Sequence, residues 1–171
     1  MNEHDVYLGN PNLKKANTQI EFTEEQVIEF LKCKEDPVYF ANNYMKIVSL
    51  DEGLVQFKPY DFQEKLINNF HENRFNICKM PRQTGKSTTS VSYLLHYCVF
   101  NDSVNIGILA NKAATARDLL GRLQTAYENL PKWMQQGIIS WNKGSLELEN
   151  GSKILAASTS ASAVRGMSFN I

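Results

Sequence analysis

The sequence predicts an α/β fold, a mainly parallel sheet flanked by helices, and three observations predict it. Two short apolar runs bounded by polar residues, "RFNICKM" (74–80) and "SVNIGILA" (103–110), read as buried strands. Each is followed by a long helical segment, "KSTTSVSYLLHYCVF" (86–100) and "KAATARDLLGRLQTAYENL" (112–130). Strand, helix, strand, helix at this spacing marks a parallel sheet with right-handed crossovers. A hydrophobic content of 43% with 11% aromatic residues supplies the core such a fold needs.

The elements can be justified in chain order. Residues 1–20, rich in Asn, Lys and Gln, read as an N-terminal arm that needs a partner. "FTEEQVIEFLKCKED" is a helix that Thr23 caps, with Gln26 three residues on to complete a capping box and an apolar stripe of Val27, Phe30 and Leu31. Asp36 caps a second helix with Pro37 at its first position. "KIVSL" and "LVQF" form a hairpin turning at Asp51, Glu52 and Gly53. "PYDFQEKLINNFHEN" is a further amphipathic helix through Phe62, Leu66, Ile67 and Phe70. After Trp133 the runs "GIISW", "GSLELE" and "SKILAAST" read as short strands, with Asn150-Gly151 a strong hairpin signal. Phe169 and Ile171 open another strand.

Composition limits the function classes. Eighteen basic and eighteen acidic residues leave a formal net charge of zero, which excludes a wholesale basic coat for nucleic acid but not a local patch. Cys33, Cys78 and Cys98 lack any C-x-x-C spacing and sit among apolar neighbours, so they read as buried free thiols in a reducing compartment. His4, His71 and His96 are scattered and suggest no metal centre. The polar N-terminus is unlike a signal peptide, and no apolar run approaches a membrane span, so a cytoplasmic protein without membrane contact is expected.

The chemistry concentrates in "KMPRQTGKST" (79–88). Gly85-Lys86-Ser87 is half of a phosphate-binding loop, although Met80 stands where the usual pattern has glycine. Taken alone the tripeptide is common; its context carries the weight. A phosphate cradle needs a strand to aim the loop, backbone N–H groups round the anion and a helix start to add its dipole. Otherwise Gly85 is a turn residue, Lys86 a solvated side chain and Ser87 a cap. A lysine gains nothing from the positive end of a helix unless an anion lies between them. The loop Met80, Pro81, Arg82, Gln83, Thr84, Gly85 therefore reads as a nucleotide site. Lys86 would neutralise the β- and γ-phosphates, Ser87 would place its hydroxyl on magnesium, and Thr88 would touch the α-phosphate. Arg82 puts a second cation in the loop, suited to an arginine-finger role, with an exposed loop arginine as the plainer alternative. Gln63 offers an amide donor and acceptor that suit the edge of adenine, though one glutamine on a helix is usually just solvated. Tyr60 or Phe62 would stack on the base, with Phe62 fitting the core stripe better.

Together these residues resemble the ATPase domain of large terminase subunits, the DNA-packaging motors of tailed bacteriophages, and most of all those of the large contractile-tailed phages. The aromatic-Gln element, the glycine-poor loop "RQTGKS" and the strand "NIGILANK" carry the resemblance. So do "YLGNPNLKKAN" and "WNKGSLELENGSKILAASTSASAVRGMSF", so that it runs from about Tyr7 to the last residue. That family's loop tolerates a non-glycine at the Met80 position and carries arginine at the Arg82 position. The resemblance implies a P-loop NTPase fold binding ATP and Mg2+, with Gln63 as the adenine-sensing glutamine, Lys86 and Ser87 as phosphate and magnesium contacts, and Arg82 as the arginine finger. Arg165 and Gly166 fall in the segment leading to the family's acidic strand, with no role that sequence supplies.

The resemblance further implies a motor coupling ATP hydrolysis to translocation of double-stranded DNA into a procapsid. Its partners would be DNA, the portal and the small terminase subunit, with a homo-oligomer on the portal, in the host cytoplasm and transiently on the procapsid. The family's next strand ends in an Asp-Glu pair and is followed by a nuclease domain. Residues 21–171 stop short of both and are expected to be an incomplete ATPase domain that binds nucleotide with little turnover. A helicase-like ATPase and a non-catalytic assembly fragment are the alternatives.

Overall fold

A computed structural model describes residues 5–49, 51–159, 164 and 166–171. The caps that the sequence announces are made. Helix α1 (Glu24–Glu35) starts with the reciprocal Thr23–Gln26 box, and α2 (Pro37–Tyr44) starts with the Asp36 carboxylate accepting from Val38 and Tyr39 N–H. The buried side of α1 is not the expected stripe. Val27 and Leu31 are 44% and 52% exposed, whereas Cys33 is buried and Phe30 packs against Phe100 at 4.9 Å between ring centroids. Glu29 turns inward with them because its carboxylate accepts from the hydroxyls of Tyr39 and Tyr44. Two phenol donors make burial of that side of the helix cheap, and the apolar stripe is left outward.

β3 (Lys46–Ser49) and β4 (Gly53–Gln56) form the expected hairpin. Helix α3 (Asp61–Glu72) follows, then α4 (Lys86–Phe100), β5 (Asn105–Ala110) and α5 (Ala113–Glu128). The last three strands are β6 (Ile138–Trp141), β7 (Ser145–Leu148) and β8 (Lys153–Ser158). These close a four-stranded sheet ordered β5-β8-β7-β6. Helix α5 lies on β5 and β8, and α4 packs on α5 with α2 and α3 beyond it. The core at this junction includes Leu95, Val99, Ile106, Leu120, Leu123 and Ile154.

The expected mainly parallel sheet is corrected to a mixed one. Only β5 and β8 pair in parallel among the named strands, while β7 with β8 and β6 with β7 are antiparallel. The reason is connection length: a few residues can join antiparallel neighbours, whereas a parallel pair needs a crossover of a dozen or more. The crossover between β5 and β8 contains α5 and the two strands β6 and β7. The last residues touch β5, where Asn170 N–H donates to the Asn105 carbonyl and Gly107 N–H donates to that of Ile171. Residues 167–171, where the sequence puts an opening strand at Phe169 and Ile171, form no strand among the described residues.

Residues 74–80, expected as a buried strand, are not one. No ladder is formed, and Phe75 and Ile77 are 85% and 101% exposed. Apolar composition asks for burial but does not supply the paired backbone that makes a strand. Cys78 in the same segment is exposed, which corrects the expectation of three buried thiols; Cys33 and Cys98 are buried.

The N-terminal residues find their partner within the chain. β1 (Val6–Tyr7) and β2 (Asn10–Lys14) pair with each other, Leu13 is buried, and Lys15 bridges to Ile138 at the edge of β6. Gln135 clasps this arm from both ends of its amide, accepting from Lys14 N–H and donating to the Asn12 carbonyl.

Candidate functional site

The residues singled out in the loop are brought together by two left-handed turns. Gln83 has φ 63° and Gly85 φ 73°, reversing the chain just before α4 begins at Lys86. Glycine meets this requirement at no steric cost, whereas Gln83 meets it at some. No side chain caps the helix, and no acidic residue lies in its first turn. Its leading N–H groups therefore carry the partial positive charge of the helix end without a protein counter-charge from that turn.

Lys86 curls back over the loop. Its ammonium donates to the carbonyls of Met80 at 3.0 Å and Pro81 at 2.5 Å. The Thr84 hydroxyl also donates to Pro81 O, at 3.0 Å. The loop is thus drawn round the lysine by its own carbonyl groups. Ser87 is exposed in the first helical turn, Thr88 is half-buried, and Arg82 is exposed. Arg165 lies outside the described residues.

Gln63 is the residue whose surroundings differ most from those expected of a helix-surface glutamine. It is only 4% exposed. Its Oε1 accepts from Tyr60 N–H at 2.9 Å, and its Nε2 donates to the Thr84 carbonyl at 3.3 Å. The side chain reaches so close that a Cβ built on Gly85 would lie 2.4 Å from Nε2. Phe62, expected in the core, is 44% exposed and stacks on Tyr60, with centroids 5.8 Å apart. Because Gln63 takes the inward position, the neighbouring Phe62 is rotated out.

Thr89 is a site residue that the motif did not single out. It is fully buried, and both its N–H and its hydroxyl donate to the Gly85 carbonyl, at 2.9 and 3.1 Å. Its place among the hydroxyl residues of "KSTTSVS" gave no signal that distinguished it from Ser87, Thr88 or Ser90. Thr88 also borders a cavity of about 630 Å3 between β3, α4 and α5, lined by Met45, Ile47, Val91 and Arg122 among others.

What this arrangement can do follows from its donors. Uncapped helix N–H groups, a lysine ammonium held at the loop and adjacent hydroxyls fit a phosphate anion. Among the described residues no group of three or more His, Cys, Asp or Glu side chains is placed to hold a metal ion. A cation here would draw on the Ser87 hydroxyl together with oxygens of the anion. No helix among the described residues is long and apolar enough to cross a membrane.

Comparison with known proteins places these features in a family. The family described as "Terminase large subunit, T4likevirus-type, N-terminal" matches residues 77–171, a stretch that includes the loop, α4 and the whole mixed sheet. Among solved structures, the chain is similar to the large terminase of bacteriophage HK97, with a TM-score of 0.63 and 18% identity. That likeness covers 79% of this chain and 29% of the HK97 protein, so this chain spans well under half of that terminase, and the likeness is one of fold.

Proposed function

This chain belongs to the large terminase subunit family of T4-like type, and we propose that it is the ATP-binding part of a motor that packages double-stranded viral DNA. The observation that carries the proposal is the loop at the start of α4. Two left-handed residues shape it, no side chain caps the helix it opens, and Lys86 is held within it. In this reading Lys86 and the first N–H groups of α4 hold the β- and γ-phosphates of ATP. Ser87 contributes a hydroxyl to Mg2+, Thr88 borders the α-phosphate, and Arg82 faces the transferring phosphoryl group as an arginine finger. Bound Mg-ATP supplies a phosphoanhydride whose hydrolysis drives DNA movement.

The chain's own residues organise that binding. Lys86 exchanges its two carbonyl partners for phosphate oxygens, a better match for a full positive charge. Thr89 keeps Gly85 in its turn by donating twice to its carbonyl. The partners of the complete protein are the DNA, the portal of the procapsid and the small terminase subunit, with several copies assembled on the portal in the host cytoplasm. Lys86→Ala tests the reading in the full-length protein. Nucleotide binding followed by titration calorimetry should fall at least a hundredfold with the melting temperature unchanged. Wild-type affinity in that variant would remove the loop from the site.

A further inference from the structure

We propose that the groove between α5 and the β6–β7 turn holds the phosphate backbone of double-stranded DNA, with Lys112, Arg117 and Lys143 as its contacts; this rests on the packaging reading of the chain. A cavity of about 590 Å3 opens there, at the end of β8. Arg117 lines it together with Asn142, Ser145 and Ser158. Lys112 adjoins the lining residue Ala113, and Lys143 stands between Asn142 and Gly144, which both line it. All three cations are exposed, and none has an ion-pair partner among the described residues. Other cations of the same elements are neutralised: Arg122 of α5 pairs with Asp118, and Lys153 of β8 with Glu147 of β7, each at 2.9 Å. No carboxylate of a described residue lines the cavity.

The groove stands on a fixed frame. The turn bearing Lys143 is held from three directions: Asn142 N–H donates to Ser145 O, the Gln124 amide of α5 donates to Asn142 O, and Ala156 N–H of β8 donates to Gly144 O, each at 2.9 Å. Thr159 N–H donates to Ala110 O, which ties the end of β8 to the end of β5 just before Lys112. Binding would therefore order the cationic side chains and little of the backbone that carries them. The lining suits a phosphate backbone. Its hydroxyls and amide match phosphate oxygens, and it contains no aromatic ring on which an unpaired base would stack. Cations carried by two separate elements suit a repeating anion, whereas a single nucleotide is served by the loop at Lys86. The two sites share α5, because Asp118, next to Arg117, and Thr88 of α4 border one cavity.

The experiment follows a labelled duplex binding to the full-length protein by fluorescence anisotropy across a salt titration, with two unrelated sequences and their single strands. The variants are Lys112→Ala, Arg117→Ala, Lys143→Ala and the triple change, with Arg122→Ala and Lys153→Ala as controls on paired cations. The triple variant is expected to lose about tenfold or more in affinity for both duplexes, and the slope of log affinity against log salt to flatten by about one for each cation removed. Arg117→Lys, which keeps the charge, should retain most of the affinity. ATP binding, followed by calorimetry, should stay at the wild-type value in every variant. Melting temperatures identify variants that remain folded, and the single changes carry the test if the triple one unfolds. Unchanged affinity and slope in the folded triple variant would overturn the proposal. So would an equal loss in either control, a loss confined to one sequence or to single strands, or a matching loss of ATP binding. Failure of the wild type to bind any duplex would instead overturn the packaging reading itself.

Discussion

The Glu149 carboxylate lies 2.9 Å from the Lys14 ammonium and also accepts the N–H groups of Gly137 and Asn17, at 2.6 and 2.9 Å. One side chain after β7 thereby ties the N-terminal arm to the entry of β6. Burial would raise its pKa, but Lys14 and the two N–H donors outweigh that and hold the carboxyl below its usual value. Gly137 is glycine for the same reason: a Cβ there would stand 2.5 Å from Ala16 Cα and from the Glu149 carboxylate.

Glu149→Ala should therefore cost roughly 2 kcal/mol, because it strands a mostly buried ammonium and two backbone donors at once. Limited proteolysis provides the specific readout, with cleavage among residues 5–17 appearing before any cut in α4 or α5. Gly137→Ala should release the same segment by pushing on both Ala16 and the Glu149 carboxylate. Protection of the arm in both variants would contradict this account.

His96 gives a pH dependence. It is buried against Phe40, Tyr93 and Phe100, its Nε2 bonds to Cys33 O at 2.8 Å, and its Nδ1 has no hydrogen-bond partner among the described residues. Burial chiefly, with the nearby His71 adding to it, lowers its pKa from 6.5 to about 4. The unfolded chain then binds the proton more readily than the folded one between those values. Stability is fully present above about pH 6.5 and declines as pH falls toward 4, by roughly 3 kcal/mol in all. Urea unfolding of wild type and His96→Phe across this range should show the slope in the first and a shallower one in the second.

Gly107 and Phe169 should report on the segment paired with β5. A Cβ at Gly107 would meet the Phe169 ring at 3.2 Å. Alanine is tolerated if the half-exposed ring slides, at about 1 kcal/mol or less, but Gly107→Val overfills the contact. Hydrogen exchange of the Gly107 N–H, which is bonded to Ile171 O at 2.9 Å, should accelerate severalfold in the valine variant. Unchanged protection would mean that the segment does not depend on the ring for its place.

Thiol labelling separates the cysteines. Cys33 and Cys98 are buried and burial pushes both thiols up to about 12, whereas Cys78 is exposed. Native protein should therefore react rapidly at Cys78 only, and Cys78→Ser should abolish the fast phase. A fast phase that survives this substitution would place one of the other thiols in reach of solvent.

Local signals were the legible ones. Thr23, Asp36 and the Asn150-Gly151 turn act through hydrogen bonds a few residues long, so their meaning survives without the rest of the chain. The loop at Lys86 was legible for the same reason, its glycine, lysine and hydroxyls being adjacent. The inward turn of Gln63 was not, because its partners lie on α3 and in the loop, and a glutamine's polarity argues for the surface until both partners are known. Nor was the docking of residues 5–17, which depends on Gln135 and Glu149, far away in sequence. Residues 74–80 mislead in the opposite way: their pattern states a preference for burial, and no neighbouring ladder meets it.

The order β5-β8-β7-β6 fixes a sequence of events in time. β8 is the last of the named strands to leave a ribosome, yet it occupies the interior of the sheet between β5 and β7. Until residue 158 is available, β5 lacks its ladder partner β8, and its backbone edge waits open while more than forty residues are added. The β6–β7 hairpin can close early from local contacts, but it cannot join β5 without the strand that separates them. Assembly of the sheet is thus a late, non-local step whose rate is set by closing that long loop. During synthesis all five helices precede β6, β7 and β8, and the exposed edge of β5 is a surface in need of shielding from other nascent chains.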